Sequence, residues 1–84
     1  MSQNSENNHI QEFIQKCRDV KLSVTPQRLA IYKTILAEKT HPRPEVIHEK
    51  ILVEYPTISL ATVYKTLETF EKHNIISRVT PLHN

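Results

Sequence analysis

Between Ser59 and Thr69 the sequence places hydroxyl, small and basic side chains at spacings suited to contact with DNA. Apolar residues recur there at intervals of three and four, as on one stripe of a helix; they are Leu60, Val63, Leu67 and Phe70. The opposite face carries Ala61, Thr62, Lys65, Thr66 and Thr69, with Tyr64 at its border. Small residues allow close approach to a groove, and hydroxyl and ammonium groups suit phosphates and base edges. Composition alone leaves an ordinary solvated face as the alternative.

The start of this helix has signals of its own. Ser59 is a favourable N-cap, because its hydroxyl can accept from the free N–H groups of the first turn. Ile58 before the cap and Val63 after it fit the hydrophobic staple that fixes how a chain enters a helix. We therefore expect the helix to begin directly after Ser59.

Two helices are predicted in the first half of the chain. Residues 1–8 are polar and are predicted to be a disordered tail. Apolar spacing then predicts a first helix from His9 to about Val20. Thr25 as N-cap, followed by Pro26 at the first helical position, predicts the start of a second helix that runs to about residue 38.

A third helix and a strand complete the predicted order. Pro44 can open the third helix, and Pro56 ends it. After the fourth helix, Asn74 stands where a left-handed cap is needed, and residues 75–80 alternate like a strand that Pro81 stops. Four helices followed by a strand predict a mainly α fold, the winged helix-turn-helix. Its β-wing is expected to be short and incomplete, because the sequence ends near the turn between the wing strands.

The composition limits the classes of function. The 84 residues carry a net charge of +2, which suits one small domain that contacts nucleic acid through more than charge alone. The sequence shows neither a membrane-spanning apolar stretch nor a signal peptide, so a cytoplasmic location is expected. Glycine is absent, which excludes phosphate-cradling loops, and no nucleophile is paired with a base, so an enzyme is not expected. Cys17, the only cysteine, is expected to be a buried thiol.

Three motifs resemble the DNA-binding half of the ferric uptake regulator family, which includes a peroxide-sensing branch. They are Thr25-Pro-Gln-Arg28, His41-Pro42 and Ile58-Ser-Leu-Ala-Thr-Val-Tyr-Lys-Thr-Leu67. The resemblance implies a winged-helix DNA-binding domain over residues 9–84. It also implies sequence-specific DNA binding by a metal-dependent transcriptional regulator, normally a repressor of metal-uptake or peroxide-stress genes. The family's second domain, which supplies dimerisation and most metal ligands, is expected to be absent from this sequence.

The resemblance gives roles to residues of the fourth helix. Tyr64 matches the family tyrosine that packs its ring on thymine methyl groups; a half-buried ring sealing the core edge is the alternative. Lys65 matches a position that is usually arginine, and because lysine lacks a bidentate fork, weaker base discrimination is expected. Ser59, Ala61 and Thr62 match the helix start at which backbone N–H groups can receive a phosphate.

Basic residues outside that helix are further candidates for DNA contact. Arg28 matches the arginine of the family motif, which would hold the second helix or touch phosphate; a surface ion pair is the alternative. Where the family usually has a basic residue that reaches the minor groove, this chain has Ser23. Lys21, in place of a usual glycine, is the nearby residue that could substitute for it.

His41 is the candidate metal residue. It matches the histidine that in many family members reaches the regulatory iron, zinc or manganese. In the peroxide-sensing branch, bound iron can oxidise this histidine. A solvated loop residue is the alternative. Because one imidazole cannot hold a metal, this chain alone is expected to bind no cofactor. His48 is expected to be a packed residue at the edge of the core.

The expected partner is double-stranded DNA with an A·T-rich palindromic operator. A homodimer is expected for the full-length protein, whereas this chain should be monomeric or weakly associated and should bind weakly, since linked half-sites supply much of the affinity. Two alternatives stay open: a winged helix used for protein–protein contact, and a truncated regulator with little DNA binding. Hydroxyl and basic residues on the outer face of the fourth helix argue against the first.

Overall fold

Four α-helices form the part of the chain that the computed structural model describes, residues 4–38 and 43–76. In chain order they are α1 (Asn4–Asp19), α2 (Pro26–Ala37), α3 (Pro44–Ile51) and α4 (Leu60–Lys72). The prediction of a mainly α fold is confirmed for these residues. Ile75 and Ile76 form bends rather than a strand, and residues 77–80 lie outside the described ranges, so the wing stays a prediction. No helix in the described ranges is long and apolar enough to cross a bilayer.

Two helix boundaries differ from the predicted ones. α1 begins at Asn4 rather than His9. The added residues include neither glycine nor proline, and extending an existing helix is far easier than nucleating one. α3 ends at Ile51 rather than just before Pro56, and a turn closed by a 2.9 Å bond from the Glu54 N–H to the Ile51 carbonyl follows. Pro56 disfavours helical geometry at Tyr55, so the helix cannot resume after this turn.

Both predicted N-caps are confirmed. The Thr25 hydroxyl accepts a 3.2 Å bond from the Arg28 N–H, and the Ser59 hydroxyl accepts a 3.1 Å bond from the Thr62 N–H. Each such cap stabilises its helix by about 1 kcal/mol. The two bonds therefore fix the residues at which α2 and α4 begin.

A cluster of three aromatic rings joins α1, α2 and α4. Phe13 stacks on Tyr32 with ring centroids 4.3 Å apart. Phe70 meets both rings edge-on, at 5.4 Å from Phe13 and 6.5 Å from Tyr32. Such pairs add about 0.5–1.5 kcal/mol each beyond the area they bury. Aliphatic residues complete the buried core: Ile31, Ile47, Ile51, Ile58, Val63 and Ile75.

Cys17 is buried in the same core, which confirms the prediction for this thiol. Its exposed fraction is 0%. Burial raises the pKa of the thiol, and the positive charge of Arg28 opposes that effect less strongly. The side chain therefore stays protonated at neutral pH.

His48 connects α3 to the segment that enters α4. The imidazole is half-buried, as predicted for a residue at the edge of the core, and its Nε2 lies 3.0 Å from the Ile58 carbonyl oxygen. Ile58 is itself buried and stands directly before the N-cap Ser59. The bond therefore helps to set the direction in which the chain enters α4.

Lys21 and Asn74 end α1 and α4 with the same backbone geometry. Both residues are left-handed, with φ of 61° and 57°. The Leu22 N–H then bonds back to the Cys17 carbonyl at 2.8 Å, and an equivalent 2.8 Å bond follows Asn74. These are Schellman caps, so the left-handed cap predicted at Asn74 is confirmed. Asparagine tolerates this geometry, whereas the Cβ of lysine is crowded in it.

We expect Lys21→Gly to raise the free energy of unfolding by about 0.5–1 kcal/mol. It would relieve a steric cost of roughly 1–2 kcal/mol, partly offset by the greater freedom of glycine in the unfolded chain. Urea unfolding followed by circular dichroism measures the change. Lys21→Ala is the control, since it removes the charge but keeps the Cβ and should change stability little. An equal gain from alanine would show that the lysine charge, and not the backbone, limits stability.

Candidate nucleic-acid interface

The exposed face of α4 is narrower than the sequence predicted. The buried residues of α4 are Val63, Thr66 and Phe70, with exposed fractions of 0%, 9% and 0%. Thr66, predicted on the outer face, is thus largely buried, although it lines the groove described below. Its hydroxyl donates to the Thr62 carbonyl at 2.8 Å, which satisfies the polar group within the helix and allows the side chain to be buried.

The first half of α4 presents the side chains that could contact a nucleic-acid groove. Ser59, Ala61, Tyr64 and Lys65 are exposed, and Thr62 is half-buried. Tyr64 is 44% exposed and is not among the partly buried apolar residues that pack against the core. The small side chain of Ala61 leaves the backbone accessible to a partner surface. These five residues thus lie where the sequence predicted them.

An open groove of about 480 Å³ separates the start of α2 from the face of α4. It is lined by Ser23, Thr25, Gln27, Arg28, Thr62, Lys65, Thr66 and Thr69. Arg28 donates from Nη1 to the Ser23 carbonyl at 2.8 Å and so braces the connector before α2. This agrees with a holding role for Arg28, and the partner is a carbonyl rather than the carboxylate of an ion pair. Two cations, Arg28 and Lys65, line the same groove, which suits a phosphate group.

Hydroxyl groups on this surface are already engaged within the protein. Thr69 Oγ1 donates to the Lys65 carbonyl at 3.0 Å, and the Ser59 and Thr62 hydroxyls bond to each other at 3.0 Å. A hydroxyl that donates to a carbonyl has no proton left for a phosphate oxygen. Only one hydroxyl of the Ser59–Thr62 pair donates in their shared bond, so the other keeps its proton. The donors that remain for an anion therefore include that hydroxyl, the charged ends of Lys65 and Arg28, and the free N–H groups of the helix starts.

The first turns of three helices lie around this face. Thr25 and Arg28 from the start of α2 line the groove, and Glu45 from the first turn of α3 meets Tyr64. The first turns of α2 and α4 contain no acidic residue, so the partial positive charge of these helix ends is uncompensated. Glu45 compensates that of α3. An anion is therefore drawn to the starts of α2 and α4 rather than to that of α3.

Tyr64 is held by a hydrogen bond to α3. Its hydroxyl donates to Oε2 of Glu45 at 3.0 Å. The pKa of the Glu45 carboxyl is lowered, first by its own backbone N–H and next by this bond. The same bond is the main cause that raises the pKa of Tyr64, and the positive charge of Arg43 lowers both pKa values. Sequence reasoning missed Glu45 and Arg43, because 19 residues separate Glu45 from Tyr64 and no helical period links them.

Lys21 stands apart from this surface. Lys21 is exposed at the end of α1 and is not among the residues that line the groove, so the structure does not bring it to Arg28 and Lys65. His41 lies outside the described residues. Within residues 4–38 and 43–76, no group of three His, Cys, Asp or Glu side chains could hold a metal ion. These described residues therefore do not fit a metal centre.

Comparison with known proteins finds relatives of this sequence. Residues 19–83 match the ferric uptake regulator family. The peroxide-responsive repressor PerR of Staphylococcus aureus strain Mu50 is 32% identical over 71 residues, which is 84% of this chain and 48% of that relative. The PerR proteins of strains USA300 and NCTC 8325 match with the same identity and coverage. The chain thus spans about half the length of the curated relatives it matches.

We expect Tyr64→Phe to raise the pKa of the Glu45 carboxyl towards its ordinary value. The phenol hydroxyl stabilises the ionised carboxylate, and phenylalanine cannot donate that bond. An NMR titration of the carboxyl carbons measures the change without any DNA. Tyr55→Phe is the matched control, because it removes a phenol hydroxyl elsewhere and should leave the Glu45 titration as it is. An unchanged titration in Tyr64→Phe would show that the bond is not formed in solution.

Proposed function

This chain belongs to the ferric uptake regulator family, and we propose that it binds duplex DNA as the DNA-binding part of a metal-dependent transcriptional regulator. One observation carries the proposal. The exposed Tyr64 and Lys65 of α4 stand beside a groove that Arg28 also lines, at helix starts that lack acidic residues. Such a surface offers a ring for base edges and charged donors for phosphates.

The first two turns of α4 are the part proposed to enter the major groove. Ala61 leaves room for close approach, Tyr64 offers an apolar ring to thymine methyl groups, and Lys65 faces phosphates or base edges. Glu68 is exposed further along the helix, where its carboxylate would repel the DNA backbone. We therefore place the contact at the N-terminal half of α4, with one phosphate in the groove between Arg28 and Lys65.

The regulatory part of the proposal rests on the relatives. The relatives named above are peroxide-responsive repressors, and we propose that this chain also serves a repressor that responds to a metal or to peroxide. His41 is the proposed contribution to a regulatory iron, zinc or manganese site whose other ligands lie beyond the described residues. A homodimer on an A·T-rich palindrome is the proposed assembly, and linked half-sites would raise affinity by roughly 10²–10⁴-fold over that of a single domain.

We expect Tyr64→Ala to weaken binding to an A·T-rich palindromic operator by about 1–3 kcal/mol, or roughly 5- to 150-fold. Binding to a scrambled duplex of equal composition should change far less, because base contacts and not phosphate contacts are lost. Fluorescence anisotropy with both duplexes measures the two affinities.

Val53→Ala is the matched control for Tyr64→Ala. It truncates another exposed apolar side chain, 87% exposed in the turn after α3, and should leave both affinities unchanged. Equal losses on both duplexes in Tyr64→Ala would argue against a base-reading tyrosine. Absence of binding to either duplex by the wild-type chain would favour either a protein–protein module or a truncated regulator with little DNA binding.

We expect Lys65→Ala to weaken binding to both duplexes and to reduce the salt slope of the affinity by about 1, as for loss of one phosphate contact. A salt series of binding curves measures that slope. Lys33→Ala is the control, since Lys33 is an exposed cation of α2 that lines a different surface groove. If Lys33→Ala lowered the slope equally, general charge rather than a contact at Lys65 would explain the effect.

A further inference from the structure

We propose that Glu45 is a positioning residue that sets the sequence discrimination of Tyr64 at a cost in affinity. The inference rests on the proposed function, since it assigns a second residue to the same DNA-reading surface. Glu45 lies on α3, outside the three motifs that resemble the family.

The first argument is geometric. The Tyr64 hydroxyl is the far end of the side chain, and its 3.0 Å bond to the Glu45 carboxylate joins that end to another helix. A ring that is 44% exposed would otherwise sample several rotamers and lose that freedom on binding. The bond therefore holds the ring in one orientation before DNA arrives.

The second argument concerns which part of Tyr64 remains available. Because its hydroxyl proton is committed to Glu45, the phenol has no donor left for a base or a phosphate. What the side chain still offers is the apolar surface of its ring, which matches the methyl group of thymine. A ring fixed in this way raises the affinity for a base step that presents a methyl group at the matching position, and it raises the affinity for other steps little.

The third argument is electrostatic. An ionised carboxylate next to the reading residue repels phosphates of any duplex, and the positive charge of Arg43, which lowers the pKa of Glu45, helps to keep that carboxyl ionised. The cost falls on all sequences alike, whereas the benefit of a positioned ring falls on matched sequences alone. Glu45 thus lowers affinity in general and raises the ratio between matched and unmatched DNA.

The test compares the wild-type chain with Glu45→Gln, Glu45→Ala and Tyr64→Phe on the palindromic operator and on its scrambled duplex. Glutamine keeps an acceptor and removes the charge, so both affinities should rise and their ratio should stay within about twofold of wild type. Alanine removes both the acceptor and the negative charge, so the affinity for the scrambled duplex should rise. The ratio of the two affinities should fall roughly three- to tenfold, as expected for one lost hydrogen bond. Tyr64→Phe should lower the ratio equally without strengthening scrambled binding.

Two further variants sharpen the result. Glu49→Ala removes an exposed carboxylate from the same helix and should leave the ratio unchanged. The double variant Glu45→Ala/Tyr64→Phe should lose no more discrimination than either single change, because both remove the same bond. Circular dichroism of each protein confirms that it is folded before binding is compared.

Each contrary outcome has a definite meaning. Wild-type discrimination in Glu45→Ala would overturn the positioning role while leaving the proposed function intact. A ratio that falls in Glu45→Gln as far as in Glu45→Ala would also overturn it, since the acceptor would then not be what matters. A wild-type chain that binds both duplexes equally would overturn the proposed function, and this inference with it.

Discussion

The contact among Phe13, Tyr32 and Phe70 is the interaction on which the rest of the structure depends. It joins three helices through rings no more than 6.5 Å apart. Phe70 lies in the second half of α4, so burying it sets the rotation of the whole helix about its axis. That rotation turns Tyr64 and Lys65 outwards. Removing a buried ring typically costs about 3–5 kcal/mol, which approaches the stability that a core of this size supplies.

The polar groups of the site divide into two sets with different tasks. The hydroxyls of Thr66 and Thr69 donate to backbone carbonyls one turn earlier, so their protons are not available to a partner. The charged ends of Lys65 and Arg28, and the N–H groups that the helix caps do not bind, are available for outside contact. With a net charge of only +2, the chain has little general attraction for a polyanion. The placement of a few charges at helix starts therefore matters more than their number.

What the sequence predicted correctly is mostly local. The caps at Thr25, Ser59 and Asn74 depend on one side chain and the few residues beside it, and all three are confirmed. Thr66 is more buried than predicted because a hydropathy pattern counts threonine as polar, although its hydroxyl can bond within its own helix. The bond between Tyr64 and Glu45 joins two helices whose packing no spacing reveals. The role of His41 and the β-wing stay predictions, since His41 and residues 77–80 lie outside the described ranges.

Because Cys17 is buried, its alkylation can be used to measure local unfolding of the core. Thiolates and not thiols react with alkylating agents, and this thiol is both protonated and 0% exposed. An electrophile can therefore reach the sulfur only after α1 separates from its neighbours. The rate of alkylation then counts how often the core opens, in the way that amide exchange counts the opening of backbone bonds. The extent of Cys17 alkylation thus reports openings of the core that are too rare to observe directly.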